Sequence, residues 1–345
     1  MTGQEFASDA AKPPRWWWWL FVAVLAAAVG LTPSYTDAAL QLDVSIIFVF
    51  ALLALSMSFL WGYVGILSFG QTIFFGLGGY CYAILALNSG TTLWPFGAAV
   101  VLPMLFAAVL GYFIIYGRIS DIYLSVITLV VTLIFEKTIR STSGPEYVIG
   151  SVRLNGQNGI PGVPALQLPW DTSSQISLDG VFYLAGGLAL IVYVGLRLLL
   201  LTPFGRIIVG IRESEKRMEL LGYDSRAYKL AGFVLAAGIA ALSGTLYAVW
   251  GNFVAPEMFN LNQAAQVVIW VIVGGRSTLI GPVVATGLVQ YLSNWLGTVS
   301  VGQVTVVLGL VLLIFVLVFP RGLLPTIGSY LARGIRRADA DRPRP

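Results

Sequence analysis

Apolar runs close to the length of a membrane crossing recur along this chain, among them 44–61, 94–116, 178–201 and 230–250, and polar or Gly/Pro-rich stretches separate them. A helix needs about 20 apolar residues to cross the hydrocarbon, so 345 residues built mostly of such runs leave room for roughly ten crossings. With 57% hydrophobic and only 10% charged residues, a soluble core is excluded. The expected fold is all-α, a polytopic membrane bundle of about 8–10 transmembrane helices with broken or re-entrant segments. Histidine is absent and Cys81 is the single cysteine, which removes disulfides, zinc clusters, Ser-His-Asp triads and Cys-His pairs together. Cys81 itself reads as an inert thiol in an apolar helix.

In chain order, residues 1–15 read as a disordered cytoplasmic tail, and 16–30 as a first crossing anchored by four interfacial tryptophans. A cleavable signal peptide is the competing reading of that Ala-rich run. Crossings follow at 44–61, at 62–87, at 94–116 and at 119–139. The third is interrupted by glycines 62, 65, 70, 76, 78 and 79. A turn-rich loop at 140–178 containing NGQNGIPGVP is expected outside the cell. Crossings at 178–201 and 230–250 flank the charged stretch 202–229. The segments 264–275 and 277–297 form either two crossings or one re-entrant hairpin. A last crossing at 304–319 closes a membrane domain of 16–325, and 326–345 forms a cytoplasmic tail. Lys and Arg concentrate in both tails, around Arg118 and in 202–229, which places all of these, with both termini, in the cytoplasm.

The charged stretch offers an amphipathic surface to a soluble partner. Thr202 is placed to cap a helix whose first residue is Pro203, and Gly222 to stop it. Ile211, Met218 and Leu221 can share one face of a broken or bent helix, while Arg212, Glu213, Glu215, Lys216, Arg217 and Glu219 occupy the rest.

Three further patterns stand out. Asp121, Ser125, Thr128, Thr132, Glu136 and Arg140 recur at spacings of three or four and line one helix face. Such a stripe either faces a water-filled path or bonds back to its own helix. Gly232, Ala236, Ala240, Gly244 and Ala248 form a small-residue stripe for close helix packing. Interrupted segments near 65–79 and 274–282, one in each half, are arranged as paired broken helices are along a solute path. With Ser125, Thr128 and Thr132, the polar residues Ser68, Gln71 and Thr72 are the candidate path residues. There is no Walker A loop, so an ATP-driven process would need another chain.

The runs LWGYVGILSFGQTIFFGLGGY, NGQNGIPGVP, FGRIIVGIRESEKRMELLGYDSRAYKLAGFVLAAGIAALSGTLYA and IWVIVGGRSTLIGP, in this order, resemble the branched-chain amino acid and urea type of ABC importer permease, in its LivM-like or UrtC-like form. The likeness covers about residues 45–325. It implies an inner-membrane permease without catalysis of its own, with ATP and Mg bound by partner ATPases and no cofactor on this chain. The implied partners are a second permease, two cytoplasmic ATPases and an extracytoplasmic solute-binding protein; nucleic acid is not among them. Carried over by position, the ATPase-coupling segment is Gly210, Ile211, Arg212, Glu213, Glu215, Lys216, Arg217, Met218, Leu221 and Gly222. Lys216 and Arg217, where many relatives have small residues, resemble the urea-type members, as does IWVIVGGRSTLIG, whereas GQNGIPGVP resembles the amino-acid type equally. A self-sufficient proton-coupled transporter using Asp121 or Glu136 is the alternative.

Overall fold

The computed structural model describes residues 16–32, 37–117, 119–168, 171–276 and 278–299, and beyond them the single positions 309, 310, 313, 317, 322, 323, 325 and 326. Both tails, Arg118 and most of the 304–319 crossing lie outside the described residues, as does the side chain of Asp121.

The chain is an all-helical bundle. Helices α1 (Trp16–Leu31), α2 (Ala38–Phe59), α3 (Gln71–Ser89), α4 (Leu93–Tyr116), α5 (Asp121–Ser141) and α6 (Leu178–Leu201) are followed by two short ones, α7 (Pro203–Glu213) and α8 (Glu215–Leu220). Then come α9 (Ser225–Gly251), α10 (Leu261–Gly274) and α11 (Ile280–Val299). Six of the described helices are long and apolar enough to cross a membrane. They are not equivalent. In α9 and in α2 with its extension, 78% and 72% of the apolar window is buried inside the protein, whereas α4, α5 and α6 bury only 28–33%. The first two are therefore the central helices, and the other three turn most of their surface outward to lipid or to a partner.

The small-residue stripe explains why α9 is central. Ala236, Ala240 and Ala248 are fully buried, and a Cβ on Gly244 would fall on the backbone carbonyl of Phe75 in α3. Without side chains in the way, α3 and α9 approach to backbone contact, where dispersion rather than hydrophobic transfer holds membrane helices together. Thr245 joins the same seam, its hydroxyl lying 2.9 Å from the Ala241 carbonyl and 3.3 Å from that of Gly78. Aromatic rings fill what remains, with Phe50 against Phe75, Tyr247 and Trp270, and Phe75 against Tyr247.

Two opposed ends can be distinguished. At one, which we call the charged end, lie the break at 65–70, the connection 202–224 and the break at 275–279. At the other, the loop end, lie 142–177 and 252–260. Here NGQNGIPGVP does form turns, with Asn155, Gly156, Gly159 and Gly162 all at positive φ. Three two-stranded pairings not expected from the sequence stiffen this end: β1 (Val148–Ile149) with β2 (Val152–Arg153), β3 (Ile160–Pro161) with β6 (Phe253–Val254), and β4 (Gln167–Leu168) with β5 (Asp171–Gln175). The loop is sewn onto the bundle by Tyr82 donating to the Pro164 carbonyl at 2.9 Å and by Asn88 donating to Ile149 at 2.9 Å.

The boundaries of the third crossing differ from the sequence reading. The second helix does not stop at Trp61; it continues as a π-helical turn, Leu60–Val64, and only then breaks. Glycines 76, 78 and 79, expected within the interruption, lie inside regular helix. They are spent on contact: a Cβ on them would meet Phe259, the Ala241 backbone and Met258 respectively. The 264–297 pair resolves into two legs. Helix α10 starts at the loop end, and the turn after it reaches Gly62 at the charged end, from which α11 returns. At about 1.5 Å per residue its 14 residues fall short of a ~30 Å core.

Candidate functional site

The charged connection is an elbow with every corner fixed. The Thr202 hydroxyl accepts from the Gly205 N–H at 3.4 Å while donating to the Leu199 carbonyl at 2.6 Å, and Pro203 follows as the first helical residue. Helix α7 ends where Ser214 turns extended, at φ −161° and ψ 96°. Helix α8 closes in a Schellman motif: the Tyr223 N–H donates to Met218 at 3.1 Å and the Gly222 N–H to Glu219 at 2.9 Å. Gly222 sits at φ +89°, a conformation that a side chain would strain. Asp224 then caps α9 by accepting from the Arg226 N–H at 3.1 Å. An ion pair of 2.7 Å between Lys229 and Glu215 ties α8 to α9, and Ser225 donates to Glu219 at 2.7 Å. Burial works to raise the Glu215 pKa, but the hydrogen bond from Lys229 and the positive charges of Lys229 and Arg226 outweigh it, so its carboxyl titrates below the usual range.

This geometry separates the residues that the sequence had placed on one face. Ile211 is buried against the bundle together with Ile208, and Met218 folds back over Gly210. Leu221 points away, at 71% exposure, and beside it Leu220 is 88% exposed. The break at Ser214 is the cause, because it rotates α8 relative to α7. Glu213, Lys216 and Arg217 are exposed as well, the last two on α8 one turn before the leucines. Leu220 was missed by sequence reasoning; its signal was a second apolar residue next to Leu221, in front of the helix-stopping glycine.

Arg212 points inward. Its guanidinium donates to the Gly62 carbonyl and pairs with Glu213, and its stem runs across Gly65, where a Cβ would lie 2.8 Å from its Cγ. Gly62 lies in the π turn, and at the following break the helical ladder lapses until Gln71, which frees backbone groups that must find other partners. Leu67 receives the Ser125 hydroxyl at 2.7 Å, and the Gly70 N–H donates to Ser68 at 3.1 Å. The second break lies against the first. Ser58 donates to the Thr278 carbonyl at 3.0 Å, a Cβ on Gly62 would fall on the Arg276 carbonyl, and the Arg276 guanidinium stands 5.9 Å from the centre of the Trp61 ring. The two interrupted segments, 210 residues apart in the chain by the Gly65 to Gly275 separation, thus meet under Arg212.

All six candidate path residues are buried, with Ser125 the most exposed at 7%. They surround the 65–70 break between α3 and α5. Thr128 and Thr132 bond back to the carbonyls of Ser125 and Thr128 at 2.9 and 2.7 Å, the self-satisfied arrangement weighed from the sequence. Thr72 contacts the Phe69 carbonyl at 3.4 Å. Ser56 donates to the Gln71 Oε1 at 3.0 Å, while the Gln71 Nε2 is buried with no partner among the described residues. Further along α5, Glu136 pairs with Arg140 at 2.9 Å, and Arg140 with Glu257 at 3.1 Å, at the loop end. Among the described residues no group of three or more His, Cys, Asp or Glu is arranged to hold a metal.

A family model described as the permease component of branched-chain amino acid transport systems matches residues 43–317. The chain belongs to this family. The permease is similar to the high-affinity branched-chain amino acid transport system permease protein LivM of Escherichia coli K12, at 27% identity over 80% of this chain and 68% of the relative. It also resembles a probable LivM protein of Methanocaldococcus jannaschii, at 23% identity over 70% of this chain and 75% of the relative. A shorter likeness, 28% over 41% of this chain and 44% of the relative, extends to the inner membrane ABC transporter permease protein YjfF of E. coli K12. No solved structure matches the chain. The protein is accordingly a multi-pass LivM-like ABC permease and not an enzyme.

Proposed function

We propose that this permease moves a branched-chain amino acid, or another small polar solute such as urea, inward across a bacterial inner membrane by alternating access, driven by ATP hydrolysed on partner subunits. The observation that carries the reading is the elbow: an apolar tip, Leu220 and Leu221, with exposed Lys216 and Arg217 one turn before it, held by side-chain caps at Thr202 and Asp224 and by the Schellman turn at Gly222. An apolar knob with a charged rim suits the groove of a soluble subunit, in the helix-in-groove mode. Arg212 links that elbow to the two breaks, so a displacement of the tip is passed to the helices around the path. In this reading the charged end and both termini face the cytoplasm. The 1–15 and 326–345 tails flank a 16–325 membrane domain, and the 140–178 loop receives the solute-binding protein. A second permease covers part of the outward-facing surface of α4, α5 and α6, two ATPases bind below, and Mg and ATP belong to them.

The test is transport by the reconstituted importer, with both permeases, both ATPases and the binding protein present, carrying Arg217→Glu or Leu221→Ala in this chain. Both variants are expected to lose substrate-stimulated ATP hydrolysis and uptake together while remaining folded. Unchanged uptake in both would remove the coupling assignment. No observation favours the proton-coupled alternative: the Glu136 carboxylate is committed to Arg140 near the helix end rather than poised at mid-membrane.

A further inference from the structure

At the charged end a cleft of about 470 Å3 opens between the elbow and the bundle. One wall is aliphatic, made by Ile66 at the helix break with Ile115, Ile119 and Leu124 from α4, the turn after it and α5. The opposite wall carries both signs of charge: Glu215 and Glu219 from α8, Arg226 and Lys229 from the first turns of α9. Ser120 adds a hydroxyl at the rim. Among the described residues the Arg226 guanidinium makes no ion pair, whereas Lys229 is engaged with Glu215 and Glu219 accepts from Ser225.

From this arrangement we infer a binding site for the zwitterion of a branched aliphatic amino acid, with its carboxylate on Arg226, its ammonium on Glu219 or Glu215, and its side chain against the Ile and Leu wall. The inference rests on the amino-acid reading of the cargo. Its volume lies within the range of small-ligand pockets, and a few convergent polar groups on an apolar lining are how such pockets fix orientation. A simple anion is disfavoured by the two carboxylates and a simple cation by Arg226 and Lys229. Only a ligand carrying both charges on a short apolar body uses every wall. None of the six candidate path residues lines the cleft. Its carboxylates belong to α8 in the elbow, whereas its cations and its aliphatic wall belong to the bundle. An occupant held at its ammonium by Glu219 or Glu215 therefore ties the elbow to the bundle and favours the arrangement in which they lie this close.

The experiment is equilibrium binding of radiolabelled leucine to the full chain in nanodiscs of phosphatidylglycerol, with no binding protein present. Saturable binding is expected, weakened at least tenfold by Arg226→Ala and restored in large part by Arg226→Lys. 4-Methylpentanoate and isoamylamine, each leucine without one of its two charged groups, should compete at least tenfold less well than leucine. No saturable binding, or binding indifferent to Arg226→Ala, would overturn the site, the latter by placing leucine elsewhere in the permease. Loss of leucine binding when phosphatidylethanolamine is added would also overturn it, since that headgroup carries the same pair of charges. Leucine uptake by the assembled importer, measured alongside, separates the two proposals. Uptake without Arg226-dependent binding sinks only the site, whereas Arg226-dependent binding without uptake sinks only the cargo.

Discussion

Arg212 is the side chain on which most of the proposed coupling converges. It leaves a charged helix and ends on a carbonyl that the π turn has left open. Arg212→Met keeps much of the stem but abandons the Gly62 carbonyl, and an unmet buried polar group costs about 1–3 kcal/mol. The expected result is a lower thermal midpoint in detergent together with loss of uptake by the importer. A midpoint and an uptake rate equal to those of the parent protein would show that the link carries nothing. Gly244→Ala tests packing alone. Its methyl group would meet the Phe75 carbonyl, and overpacking of this kind costs about 1–3 kcal/mol, to be read as a drop in midpoint. The Glu215 carboxyl supplies a pH test. Because its pKa is lowered in the folded protein, its contribution is complete above the ordinary carboxylate value and is lost as pH falls through the lowered one. Glu215→Gln should therefore lower stability above the ordinary carboxylate range and flatten the acid limb of the profile, so that variant and parent converge as pH falls through the lowered value.

At the scale of elements, the elbow shows what sequence can and cannot reveal. Thr202, Pro203 and Gly222 announced both ends of the segment, because caps are local chemistry and need no tertiary information. The face was less legible. The sequence put Ile211, Met218 and Leu221 on one face of a broken or bent helix, and the extended backbone at Ser214 instead sends Ile211 inward and Leu221 out. Serine is a weak helix former rather than a breaker, so nothing at that position forced the turn to be foreseen. Replacement of Leu220 and Leu221 together by Ser should leave the thermal midpoint unchanged, since neither is buried, and lower the affinity for the partner ATPase at least tenfold in a pull-down titration. A fall in midpoint with unaltered affinity would make them structural instead. The broken segments were legible as glycine clusters, but not as neighbours. Their contact at Gly62, Ser58 and Thr278 joins the two halves of the chain, and no local pattern encodes that pairing.

For the whole molecule, the all-helical membrane bundle followed from run length, and the small-residue stripe lies where α9 meets α3 in backbone contact. The loop-end strands escaped notice because two-residue pairings leave almost no periodicity to read. Sequence patterning also gave no reason to expect one end of the bundle to gather both breaks, the elbow and a mixed-charge cleft. The proposed entry of energy at this end and of solute at the other rests on that concentration. The decisive measurement is uptake of radiolabelled leucine into proteoliposomes containing this permease, with and without its partner permease, ATPases and binding protein. The account predicts uptake only from the full set, only with ATP on the side of the elbow, and none from this chain alone under an imposed pH gradient. Uptake by the isolated chain driven by that gradient would contradict it.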